Sequence, residues 1–297
     1  MRSDKTFAIF LLIISSIVIS FGGLVMRMID EADPIQIAFY RAIFFSVSIL
    51  CVLAYKYNFK IYEALINVGF PGFIGGIFLA FANIFHIQAL ANTSIANALF
   101  TLSAIPFITA GLAYLFLNEK INLRTIFIML LAILGIVIMI NKGFEEGSIY
   151  GNLMALSTAL CFSVFTIILR KFRKIDMLPT LVISGFIILI ITILLSRGKI
   201  YISSEDIFYC FIWGFFLSGI VNTIFIFGTR FLYASEVTFL MLLEFSLGPF
   251  WVWLFLNETI SFETLVGGII VMLSVAIYSI FEILKANSKV KRGRIIP

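Results

Sequence analysis

Charge is what this sequence has least of. Only 12% of its 297 residues are Asp, Glu, Lys or Arg, 62% are hydrophobic, and the mean hydropathy is +1.12. Soluble domains carry about twice that charged fraction, and a water-soluble fold would have to expose much of this apolar surface, so the solvent is lipid. Cysteine is scarce too: Cys51, Cys161 and Cys210 lie singly inside apolar runs. That excludes a disulfide framework and leaves buried packing as their role. His86 is the only histidine, with no Cys, Asp or Glu at ligand spacing nearby, so no metal site can be built on it. No Walker-type phosphate loop is present, which argues against ATP drive within this chain. Nothing in the sequence calls for a cofactor.

The formal charge of +5 does not point to a nucleic-acid partner. Its basic residues sit in the short breaks between apolar runs and in a C-terminal stretch, where they act as topology determinants rather than ligand contacts.

What is present is a succession of apolar runs. A spanning helix needs about 20 such residues, and ten runs can be laid down, over 7–28, 34–55, 65–90, 94–117, 123–140, 149–169, 178–195, 207–232, 237–256 and 262–284. The third and fourth are hardest to separate, since only Ala91, Asn92 and Thr93 stand between them; eight or nine helices are the alternative counts. The first run follows Arg2 and Lys5, as a signal core would, but it is longer and lacks a small-x-small cleavage site, so it is read as a retained helix. The basic tail 285–297 is expected to be disordered.

Lys and Arg counted in alternate gaps are unequal. Sixteen fall on the N-terminal side, including Lys56, Lys60, Arg170, Lys171, Arg173, Lys174 and Arg230; Arg27, Lys142, Arg197 and Lys199 fall on the other, and Arg41 lies within a helix. This bias puts both termini in the cytoplasm and agrees with an even number of spans.

Five letters recur. Leu115-Phe116-Leu117-Asn118-Glu119 ends one apolar run, and Leu254-Phe255-Leu256-Asn257-Glu258 ends another 139 positions later. Both copies are followed by a short polar turn and another run, which suggests two halves of similar layout, 1–142 and 143–284. Ten spans in two halves means five each, and an odd number forces the halves into the membrane from opposite sides. The expected fold is therefore an all-α integral membrane protein of ten transmembrane helices in two inverted five-helix repeats, with a binding site near the midplane where they meet.

The motifs resemble those of the drug/metabolite transporter superfamily, specifically its ten-helix EamA-type carriers, over essentially the whole chain. Ala96-Asn97-Ala98-Leu99-Phe100 through Pro106, Leu115 and Glu119 is similar to the family's small-residue helix, its proline and its Leu-x-x-Glu ending. Pro34 to Arg41 resembles the family's second helix, and Ser235 through Glu244 to Glu258 repeats the pattern. Two departures stand out. The family often follows its second-half acidic residue directly with proline, whereas here Phe245 follows Glu244 and the proline is Pro249, which moves the expected helix break about one turn later. The usual Trp-Gly of the first helix reads Phe21-Gly22-Gly23. The resemblance implies a cytoplasmic (inner) membrane location and export of amino acids or related metabolites.

Candidate site residues follow from the cost of polarity in lipid. Glu244 is a carboxylate inside an apolar span, expensive unless paired, protonated or facing water. It is either a proton-coupling group, the counter-ion of a cationic substrate group, or a structural hydrogen-bonding residue. Arg41, about seven residues into its helix, either snorkels to the interface, holds an anionic substrate group or pairs with Glu244. His86 shares a helix face with Asn83, as a packing residue or a proton carrier. Small and hydroxyl stripes, such as Ser16, Ser20 and Gly23, favour close helix approach. Two amides on such faces, Asn97 and Asn222, are assigned to a cavity wall. Trp213, Trp251 and Trp253 fit interfacial anchoring, and Trp251, which shares a face with Glu244, is also placed to stack on a substrate. Glu119 and Glu258 read as helix-end or gate contacts.

These readings add up to a secondary carrier for a small metabolite working by alternating access. The alternatives are a passive facilitator or channel for a small polar solute, or an importer of a cationic or nucleotide-derived metabolite. An intramembrane enzyme would need a nucleophile with its base, or a metal pair, and the single histidine and scattered serines supply neither.

Overall fold

The computed structural model describes residues 2–93, 95–119, 122–140, 149–256 and 262–292, apart from some side chains within helices, among them those of Asn97 and Pro249. The chain is all-helical. The first half holds α1 Arg2–Ile19, α2 Gly22–Arg27, α3 Pro34–Lys56, α4 Ile61–Asn92, α5 Ile95–Leu102, α6 Ile105–Leu117 and α7 Leu123–Ile140. The second holds α8 Ile149–Lys171, α9 Pro179–Ser196, α10 Ser204–Phe211, a π-helical segment Ile212–Ile220, α11 Val221–Phe231, α12 Ala234–Leu240, α13 Leu242–Leu256 and α14 Phe262–Arg292. Among the described residues, seven helical stretches are long and apolar enough to cross a bilayer, and three shorter apolar ones, Ile105–Leu117, Leu123–Ile138 and Val266–Phe281, accompany them.

Local chemistry sets the ends. Pro34 opens α3, where its missing N–H costs nothing, and the Asp33 N–H donates to Gln36 Oε1 at 2.7 Å. Ser203 caps α10 by accepting the Asp206 N–H at 3.0 Å. Near its start α4 bends at Gly69, whose φ of 58° and ψ of −158° only glycine holds without strain, two residues before Pro71. The last helix continues to Arg292, through most of the stretch expected to be a disordered tail. Extending an existing helix costs no new nucleation.

The halves interleave. Helix α4 packs on α8 and α9, α3 on α9 and the π segment, α1 on α11, α6 on α8 and α12, and α7 on α14. Both fourth runs are broken at the same point of the repeat: α5 gives way to α6 after Leu102, and α12 to α13 after Leu240. This second break precedes Glu244, whereas the break expected from Pro249 lay after it. A group remote in sequence meets it. The Ser16 hydroxyl of α1 donates to the Leu240 carbonyl at 3.2 Å, giving that carbonyl a partner where the helix is interrupted. Beside the first half's break, Ser163 of α8 donates to the carbonyl of Ile105, the first residue of α6, at 3.3 Å.

Candidate functional site

The breaks and the crossing helices enclose one central cavity. It leaves about 90 Å³ for the centres of water-sized spheres, where a single water needs roughly 10–15 Å³. Its wall brings together Glu244, Arg41, His86 and Asn222 with Asn83, Ser20, Thr158, Thr238, Trp213 and Phe162, among apolar neighbours. Asn97 lies on α5, and its side chain falls outside the described residues.

Arg41 does not snorkel. It is 7% exposed; its Nε and Nη2 donate to Ser218 Oγ at 3.1 and 3.0 Å, and Nη2 also donates to Asn83 Oδ1 at 3.0 Å. Its guanidinium lies over the Trp213 ring, 4.5 Å from the centroid. All these partners are neutral, and the buried Nη1 has no acceptor among the described residues. Arg41 therefore has no ion-pair partner within 4 Å among the described residues, and the acidic group that acts on it through space in the cavity is Glu244.

The π segment explains the grip. Trp213 and Ser218 are five residues apart, a separation of about 140° in an α-helix. With i→i+5 hydrogen bonding they come onto one side, toward Arg41. Two side chains serve the carbonyls where this wide turn narrows again: Asn222 Nδ2 donates to the Ser218 carbonyl and Thr223 Oγ1 to the Gly219 carbonyl, both at 2.9 Å. Gly214 lets the segment lie on α3, because a Cβ there would collide with the Arg41 carbonyl oxygen. Trp213, expected to anchor at an interface, is 2% exposed and packed in the core; its indole is needed under the guanidinium.

Glu244 stands in the first turn of α13, where the helix dipole favours a negative charge. Neither its carboxylate nor the His86 ring makes a hydrogen bond or ion pair among the described residues, so Glu244 and Arg41 share the cavity and attract each other across it without direct contact. Trp251 is not part of the wall. Its Nε1 donates to Ser20 Oγ at 2.7 Å, and its ring stacks on Phe21 with centroids 4.4 Å apart and planes at 15°, so the face expected to meet a substrate is covered. Among the described residues no cluster of His, Cys, Asp and Glu of metal-binding type is present.

The wall also repeats itself. Ala82 and Val221, Asn83 and Asn222, Leu99 and Thr238, Leu102 and Met241, and Ile105 and Glu244 are all wall residues, and each pair is separated by the 139 positions of the repeated pentapeptide. Asn83 and Asn222 even make the same back-bond, to the carbonyl four residues before each, Leu79 and Ser218, at 2.9 Å. A search limited to identical letters misses this; sliding the sequence along itself at that offset finds it.

The EamA-like transporter family matches residues 6–141 and, a second time, residues 149–280. The chain is 25% identical over 186 residues to Solute carrier family 35 member G1 of Mus musculus, a stretch covering 56% of this chain and 48% of that protein. It thus spans about half the length of that relative. One crystal structure superposes on 95% of this chain and 98% of its own with a TM-score of 0.75 at 14% identity, a likeness of fold. Matched across both of its halves, the chain belongs to the EamA-like transporter family.

Proposed function

We propose that the protein is a secondary carrier for a small zwitterionic metabolite, an amino acid or a related compound, working by alternating access around the central cavity. The observation that carries this reading is the contrast between a wall that repeats and charges that do not. Glu244 has Ile105 as its counterpart, and Arg41, at the same offset of 139, has Thr180. A scaffold needs only the matching positions. An unpaired cation and an unpaired anion, added to one half each, suit a cargo bearing both signs: its carboxylate on Arg41 and its ammonium on Glu244.

The architecture proposed is ten spans in two inverted repeats, 1–142 and 143–284. In its support, exchanging the halves turns each major contact into another: α4 on α8 becomes α11 on α1, α3 on the π segment becomes α9 on α4, and α3 on α9 and α7 on α14 map onto themselves. Five spans per half then make the two-fold axis lie in the membrane plane. The Lys and Arg bias places the termini in the cytoplasm and the protein in the cytoplasmic membrane, with export as the working direction. Glu244 is the candidate for proton coupling.

The test is transport by purified protein in sealed vesicles. With L-alanine, L-serine and L-threonine as probes, counterflow without an imposed gradient supports a carrier, and its absence alongside open-ended flux supports a facilitator. Glu244→Gln should abolish uptake driven by a proton gradient and keep counterflow measurable; full gradient-driven uptake in that variant would remove the coupling role.

A further inference from the structure

The cavity does not sit evenly along the helices. Helix α8 contributes Thr158 and Phe162 but not its last two turns, and α13 contributes Glu244 and Gly248, on the side away from Ala234. Toward the face that carries Lys5, Lys56 and Lys171 the space is filled. Leu12, Phe165, Phe225, Leu232, Val237 and Phe239 are each at most 1% exposed and belong to one packed cluster.

Beyond this plug lie ion pairs that join the halves. Lys56 and Tyr57 of the first half hold Asp176 of the second, and Lys5 lies 3.6 Å from Glu236. Lys56 is 41% exposed and Lys5 27%, so solvent screens both pairs. The third is different. Arg170 Nε donates to Glu119 Oε1 at 2.6 Å with side chains 6% and 11% exposed. Arg170 Nη1 also donates to the Thr229 and Arg230 carbonyls at 3.0 and 3.4 Å, and Glu119 Oε2 accepts the Ala234 N–H at 3.1 Å. One buried pair thus ties the end of α6 to α8, to the last turn of α11 and to the start of α12. Glu119 is the first half's contribution, and the other groups all belong to the second.

We propose that the Glu119–Arg170 pair is the latch of the N-terminal face: it holds the plug shut in this structure, and parting it opens the cavity to that side. Resting on the carrier reading, it identifies the present state as one closed to the face of Lys5 and Lys56. A separate observation points the same way. Ser163 and Arg170 recur, seven positions apart, as Ser20 and Arg27, and Ser20 likewise bonds the other half's fourth run, through Trp251. The repeat therefore carries an arginine at the far end of α2 in the latch position; Glu258, which answers to Glu119, lies outside the described residues.

The experiment uses the full chain with Cys51, Cys161 and Cys210 replaced by Ala and Asn222→Cys as reporter, reconstituted in sealed vesicles and exposed to a membrane-impermeant maleimide from each side. With the latch intact, labelling comes from the face opposite Lys5. In Glu119→Gln and Arg170→Gln, labelling from the Lys5 face rises at least about tenfold, the change expected from losing one charge-assisted hydrogen bond. Lys60→Gln, which breaks an exposed pair with Glu63, leaves it unchanged. Monodisperse Glu119→Gln and Arg170→Gln proteins with no added labelling from that face overturn the latch while leaving the carrier reading intact. A reporter that reacts from neither face under any solute gradient overturns the carrier reading itself.

Discussion

Replacing Asp176 by Asn should unfasten the loop after α8 with a pH signature of its own. Asp176 accepts from Lys56 Nζ at 2.6 Å, from Arg230 Nη2 at 2.6 Å, from the Tyr57 hydroxyl and from the Leu178 N–H at 3.4 Å. Burial pushes its carboxyl up, but the bonds from Lys56 and Tyr57 and the charges of Lys56 and Arg230 outweigh that and hold it below the usual range. Lys56 and Arg230 are 41% and 32% exposed, so solvent screens their share to about 0.5–1 kcal/mol each. The phenol's bond to a charged acceptor contributes roughly 1.5 kcal/mol. Because an Asn oxygen can still accept from some of these donors, the net loss comes to about 2 kcal/mol, a melting shift on the order of 5 °C.

The sign follows from the lowered value. The contribution is complete above the unfolded carboxyl's value of about 3.9 and disappears as pH falls through the folded one. Wild type and Asp176→Asn should therefore melt a constant interval apart from pH 5 to 8 and converge in stronger acid. Tyr57 mirrors this: burial first, then its bond to Asp176, pushes its hydroxyl up to about 12. Its contribution is complete below about pH 10 and lost as pH rises through the folded value. Thermal melts of purified protein across pH measure both. Equal melting temperatures at pH 7, or an interval that does not begin to narrow as pH falls below about 4, would refute the reasoning.

Ser218→Ala strips Arg41 of two of its three hydrogen bonds and should cost about 3 kcal/mol, since buried charged donors are left unpaired. Ser184→Ala is its control and should be nearly silent in the same melts, because that buried hydroxyl has no hydrogen-bond partner among the described residues. Trp251→Phe keeps the stack on Phe21 and loses the bond to Ser20, costing about 1 kcal/mol. Trp251→Leu loses both and costs about 1 kcal/mol more. Transport KM should stay at the wild-type value in Trp251→Phe; a tenfold rise would return that ring to the site.

Much of the architecture was legible because lipid enforces it. Apolar runs of spanning length, the Lys and Arg imbalance and the repeated pentapeptide all follow from what a bilayer tolerates, and intramembrane polarity singled out Glu244, Arg41, His86 and Asn222, which the fold sets around one cavity. What escaped depends on partners distant in sequence or on departures from α periodicity. The interruption before Glu244 is met by Ser16, 224 residues away. Trp251 meets Phe21 and Ser20 across the halves, a contact no helical wheel displays. Trp213 beneath Arg41 requires a π turn, and patterns scored at 3.6 residues per turn place it on a different face from Ser218.

The mismatch between matching walls and solitary charges bears on how cargo is oriented. A chamber with a perfect dyad would accept any asymmetric molecule in two poses of equal energy, one the end-over-end flip of the other, and would present the same pocket to both sides of the bilayer. Glu244 opposite Ile105 and Arg41 opposite Thr180 abolish that degeneracy. A passenger with a head and a tail then travels in a single attitude, and its affinities at the two membrane faces have no reason to be equal.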